Sequence, residues 1–234
     1  SEIEVIKEER RLRTDDNPNA LAFERFKAAA YPASGYHTPT IGWMADLQRM
    51  TIDDLRHWYE SWYAPNNATL VVVGDVTADE VKTLAKRYFG EIPWRQLPPA
   101  RKPLELAEPG ERRLKLYVRT QLPNLIMGFN VPSLGSSENP REVNALRLIG
   151  ALLDGGYSAR LASRLERGEE LVAGASTYYD AFNRGDSLFV LSATPNVQKG
   201  KTLEQVEAGL WKQLDDLKQN PPSAAEIERV RAQM

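Results

Sequence analysis

Between Pro93 and Pro109 the chain carries five prolines, counting both ends, and little periodic apolar pattern. Proline fixes φ and has no amide hydrogen to give to a helix or a ladder, so such a stretch reads as a connection rather than an element. It divides the 234 residues into two portions that build separate secondary structure. The boundaries it sets are residues 1–93, a proline-rich linker at 94–112, and residues 113–234.

The first portion reads as helix, strand, helix. Residues 2–13 combine strong helix formers with a helical pattern, and a second helix follows Asp16-Asn17-Pro18. A loop with two prolines and two glycines runs to Trp43. Thr51-Ile-Asp-Asp54 and Thr77-Ala-Asp-Glu80 are capping boxes, the former with Asp in place of Glu, and each opens a helix. Between these helices the apolar run Ala68 to Val73, bounded by Asn66-Asn67 and Gly74, predicts a buried strand. In the second portion strands are predicted at Leu114 to Arg119, Leu125 to Val131, Leu171 to Tyr179 and Ser187 to Thr194. Helices are predicted at 140–153, at 202–217, and from Ser223, where Ser-Ala-Ala-Glu226 is again a capping box. The fold class expected is α+β with antiparallel pairing.

Thirty basic and thirty-two acidic residues are interspersed rather than gathered into blocks, so nothing here asks for nucleic acid. No run approaches the roughly 18 apolar residues of a membrane span. The chain opens on Ser1, and both ends sit inside helical patterns, so an internal piece of a longer polypeptide is expected. With no cysteine there is no disulfide, thiol nucleophile or Cys-based metal site. Two histidines, His37 and His57, are twenty residues apart and read as a polar loop residue and a surface or core-edge residue on an aromatic helix. The acidic group Glu2, Glu8 and Glu9 admits two readings: metal ligation from one helix face, or carboxylates favoured by the helix dipole and by Lys/Arg partners four residues on. Spacing alone favours the second. Asp154-Gly155-Gly156 lacks both phosphate-loop patterns, and no G-x-S-x-G elbow is present.

Several stretches together resemble the pitrilysin/insulinase family of inverted zinc metallopeptidases, especially its bacterial short-chain members related to mitochondrial processing peptidase. Trp62-Tyr-Ala-Pro-Asn-Asn-Ala-Thr-Leu-Val-Val-Val-Gly-Asp75 resembles that family's Y-x-P-x-N-x-x-L-x-V-x-G-D segment. Tyr88-Phe-Gly-Glu-Ile-Pro93 resembles the end of its next helix, and Leu153-Asp-Gly-Gly-Tyr-Ser-Ala-Arg-Leu161 resembles its G-G-x-S-S-R-L turn. The resemblance implies two related α/β-sandwich repeats with antiparallel sheets, the first truncated at its N-terminus and the second at its C-terminus. It implies a zinc ion held by two histidines of an H-x-x-E-H helix and by a glutamate downstream. Val5-Ile-Lys-Glu-Glu9 resembles that downstream segment, which makes Glu9 the third ligand and Glu2 a supporting acidic position. H-x-x-E-H itself is absent and is expected before Ser1, so no catalytic residue lies in this chain and no zinc is expected to bind to it alone. The substrate implied is a peptide or protein, added as a strand inside a chamber closed by two similar halves. The family's substrate-holding Arg and Tyr fall on Glu166 and Ala173, with Arg167 one position later as a substitute. That departure implies a metal-bearing subunit served by a homologous subunit that carries the pair. The rival implication is a non-catalytic binding or assembly subunit of the same fold. A bacterial periplasm or cell envelope is the location the family suggests.

Overall fold

A computed structural model describes residues 2–108 and 110–233; Pro109, the last proline of the expected linker, lies outside the described residues, as does Ser1. Two compact units emerge. One joins residues up to Ile41 with those from Lys102 onward, and the other is Gly42–Arg101.

The first unit is built on an antiparallel sheet of β1 (Leu125–Val131), β2 (Val172–Tyr179) and β3 (Ser187–Pro195) in the order β1-β3-β2. Phe189 is the partner of both Phe129 and Tyr179, which places alternate residues of all three strands on common faces. On one face Leu125, Met127, Phe129 and Val131 of β1 join Phe189, Leu191 and Ala193 of β3. The helices α6 (Pro140–Asp154) and α7 (Leu203–Gln219) cover this face with Leu146, Ile149 and Leu153 and with Val206, Leu210 and Leu214. Each helix starts where a side chain takes up its free amides: Asn139 accepts from the Arg141 amide, and Thr202 and Gln205 form a reciprocal box. The central strand reads as a run, Leu188-Phe-Val-Leu191, because both its faces are buried. On the second face Ile126, Leu188 and Val190 meet Phe26, Ala30, Tyr31 and Tyr36. These come from helix α2 (Pro18–Ala30) and the segment that follows it; α2 itself follows α1 (Glu2–Arg10) and a π-helical turn, Arg11–Asp15.

The second unit holds α3 (Met44–Arg49), α4 (Ile52–Trp62) and α5 (Ala78–Phe89). Both predicted capping boxes form: the Thr51 amide donates to Asp54 at 2.8 Å and the Asp54 amide returns to Thr51 Oγ1 at 3.3 Å, with the same two distances at Thr77 and Glu80.

Three expectations are corrected. Residues 68–73 form no strand, and Val71 and Val73 are 77% and 93% exposed. A strand exists only where a neighbour takes its amides and carbonyls, and the described residues of this unit include no other strand. The same holds for 114–119, which joins no ladder, with Tyr117 87% exposed. At the last helix, α8 (Ala224–Gln233), Ser223 Oγ accepts from the Glu226 amide at 3.2 Å, but the Glu226 carboxylate is drawn to Arg160 rather than to the Ser223 amide. A charged guanidinium outcompetes a neutral amide for that carboxylate.

Candidate functional site

Glu9 lies near the end of α1, a helix whose sequence puts Glu2 and Glu4 in the first turn and Lys7 and Arg10 in the last, each charge matched to the helix dipole. Seven residues separate Glu2 from Glu9, about 10 Å along the axis and nearly two full turns, so the two share a face. Glu2 is exposed, and Glu9 is partly exposed, with Oε1 3.0 Å from Arg13 Nη2. Glu8 pairs with Arg11 at 3.0 Å and Glu4 with Lys7 at 2.8 Å, and the Lys7 hydrogen bond holds the Glu4 carboxyl below its ordinary value. Of these pairs Glu9–Arg13 has the four-residue spacing the sequence pointed to, while Glu8–Arg11 and Glu4–Lys7 are three residues apart.

What the sequence reading missed is the residue after Glu9. Arg10 is buried, 3% exposed, and grips Glu24 in the middle of α2 through two parallel hydrogen bonds, Nη1 to Oε2 at 2.8 Å and Nη2 to Oε1 at 3.0 Å. Glu24 is itself 7% exposed, and Asp15 lies 3.3 Å from Arg10 Nη2. The hydrogen bond to Glu24 raises the Arg10 pKa further above its already high value. A signal existed: Arg10 follows Ile3 by seven and Glu24 follows Leu21 by three, so each charge shares a helix face with an apolar residue.

As one carboxylate on a well-formed helix, Glu9 fits a single oxygen-donor leg of a zinc site. Catalytic zinc takes three protein ligands, and among the described residues no group of three His, Cys, Asp or Glu side chains is placed to hold a metal. His37 is half-buried in a 3₁₀ turn, Gly35–His37, and His57 is exposed on α4.

Glu166 ends the π-helical turn Leu161–Glu166, exposed. Ala173 is exposed at the irregularity between Val172 and Gly174 where β2 slips against β3. Arg167 is occupied locally: Nη2 donates to the Tyr157 carbonyl at 2.6 Å, and the guanidinium stacks 3.7 Å from the Tyr157 ring centroid. Just upstream, Arg160 from the Gly-Gly turn segment is buried and takes both oxygens of Glu226 at 3.0 Å, with Asp216 of α7 at 3.6 Å.

Among known proteins, the family profile described as the peptidase M16 inactive domain matches residues 49–234. The zinc protease PqqE of Helicobacter pylori is 29% identical over 98% of this chain, which spans 51% of that protein. The crystal structure of a protease from Helicobacter pylori superposes with a TM-score of 0.86 at 28% identity, over 99% of this chain and 55% of that one. The periplasmic protease PqqL from Escherichia coli shares the fold at a TM-score of 0.72 and 19% identity, over 98% of this chain and 25% of that one. The chain thus spans about half the length, or less, of these relatives. No helix among the described residues is long and apolar enough to cross a membrane.

Proposed function

Given that this chain belongs to the peptidase M16 family, the pitrilysin/insulinase-like zinc proteases, we propose that it is part of a zinc-dependent metalloendopeptidase in which Glu9 supplies the third protein ligand. The observation that carries this reading is Glu9 itself, an oxygen donor on the exposed face of α1, in a chain similar over 98% of its length to a zinc protease. The two remaining ligands and the general base come from an H-x-x-E-H segment outside these residues. When bound, zinc supplies a water made acidic enough to attack a peptide carbonyl near neutral pH.

In this proposal residues 1–93 end the metal-bearing repeat, 94–112 link, and 113–234 form most of the second repeat, which closes a chamber around an extended peptide or protein substrate. Because Glu166 and Ala173 stand where the substrate-holding Arg and Tyr are expected, and Arg167 is engaged with Tyr157, the pair is supplied by a homologous subunit. The location proposed is a bacterial periplasm or cell envelope.

The test is zinc content and peptide cleavage of the complete polypeptide, wild type against Glu9→Gln. Loss of both in the variant, with zinc affinity down by more than the 10–100-fold a supporting residue costs, is expected. A metal-free wild type indifferent to the change would move the assignment to a non-catalytic binding or assembly subunit.

A further inference from the structure

Arg10 is the one fully buried side chain of α1. Ile3 and Lys7 are only partly covered, Val5 is 62% exposed and Ile6 36%, and Leu12 in the following turn is 65% exposed, so Arg10 is the deepest anchor the helix has. Its rotation about its own axis therefore depends on Arg10, and Arg10 is fixed by a two-pronged bond to Glu24 on α2. Successive helical residues are about 100° apart, so the direction Arg10 takes sets the direction of Glu9.

The other end of α2 is fastened to the sheet. The Phe26 ring fills the space over Gly128 of β1, Asn130 Nδ2 donates to the Ala30 carbonyl at 3.0 Å, and the buried Tyr31 hydroxyl donates to the Asp186 carbonyl at 3.4 Å. Arg112 Nη1 reaches the Ala29 carbonyl at 2.8 Å. An unbroken line of contacts thus runs from β1 and β3 through α2 and Glu24 to Arg10 and ends beside Glu9. A buried ion pair contributes little net stability against an apolar replacement, and its best-attested use is to fix registry. Here the register it fixes is that of the helix bearing the candidate ligand.

We infer that Arg10 and Glu24 are positioning residues for Glu9, through which the β1-β3-β2 sheet sets where that carboxylate points. This rests on the reading of Glu9 as a metal ligand, and the experiment separates the two. In the full-length protein, zinc affinity per folded molecule is measured by chelator competition for wild type, Arg10→Lys, Glu24→Gln and Glu9→Gln, alongside the melting temperature of the zinc-free form. Lysine keeps the charge but has no fork to hold two carboxylate oxygens. Arg10→Lys and Glu24→Gln are expected to weaken zinc binding about tenfold or more, and Arg10→Lys to do so with the zinc-free melting temperature nearly unchanged, while Glu9→Gln abolishes binding. Wild-type affinity in folded Arg10→Lys, with binding lost in Glu9→Gln, would overturn the positioning role and leave the ligand reading intact. Undiminished zinc in Glu9→Gln would overturn both. If Glu24→Gln fails to fold, Arg10→Lys decides.

Discussion

Gly128 shows how a single residue controls the docking of α2. A Cβ there would lie 2.4 Å from Phe26 Cζ, closer than real carbon contacts come, and a tight 3.1 Å from Cε2, and Phe26 packs with Tyr31, Leu188 and Val190 rather than swinging free. Gly128→Ala is therefore expected to cost about 1–3 kcal/mol as overpacking, read as a lower midpoint in urea with an unchanged slope. An unchanged midpoint would mean that the Phe26 ring yields at little cost and that α2 is loosely held. At this scale the sequence was legible where chemistry is local. Thr51 with Asp54 and Thr77 with Glu80 close as read, because a cap needs only its own four residues. It was not legible where partners are distant: nothing within a few residues of Glu24 or Glu226 announces Arg10 or Arg160.

Among the elements, α8 is tied to the body by that second distant pair. Arg160 holds both carboxylate oxygens of Glu226, and this hydrogen bond keeps the Glu226 carboxyl below its ordinary value; Arg164 does the same for Asp216 of α7. A depressed folded-state pKa contributes stability that is fully present above the unfolded value, roughly 4.3 for glutamate, and is lost as pH falls through the lower folded value. Amide exchange protection of Ala224–Gln233 is accordingly expected to hold from neutral pH down to about pH 5 and to fall below pH 4. In Glu226→Gln it should be reduced already at neutral pH and respond less to acid; an identical acid profile in the variant would remove Glu226 as the cause. The longer periodic elements followed the sequence closely: Leu125–Val131 is a strand, and helices occupy Pro140–Asp154 and Leu203–Gln219. The runs at 68–73 and 114–119 had the composition of strands but have no paired strand among the described residues, since pairing is a relation between two segments. The six-residue α3 is too short to show a period, and the two π-helical turns leave no pattern in their residues.

For the whole chain the governing quantity is the number of donors it brings to a metal. The described residues offer Glu9, partly exposed on α1 and already sharing Oε1 with Arg13, and no further pair of ligating side chains beside it. Structural and catalytic zinc sites draw their affinity from three or four ligands acting together, and binding to a lone carboxylate is weak enough for desalting to remove the ion. The 234-residue chain, incubated with zinc and desalted, is expected to retain well under one equivalent by elemental analysis and to cleave no peptide. On the proposed reading, a longer polypeptide that includes an H-x-x-E-H segment should retain close to one equivalent under the same treatment. Stoichiometric zinc on the 234-residue chain would show that its own side chains complete a site, and Glu9 could then no longer be one leg of a centre finished elsewhere.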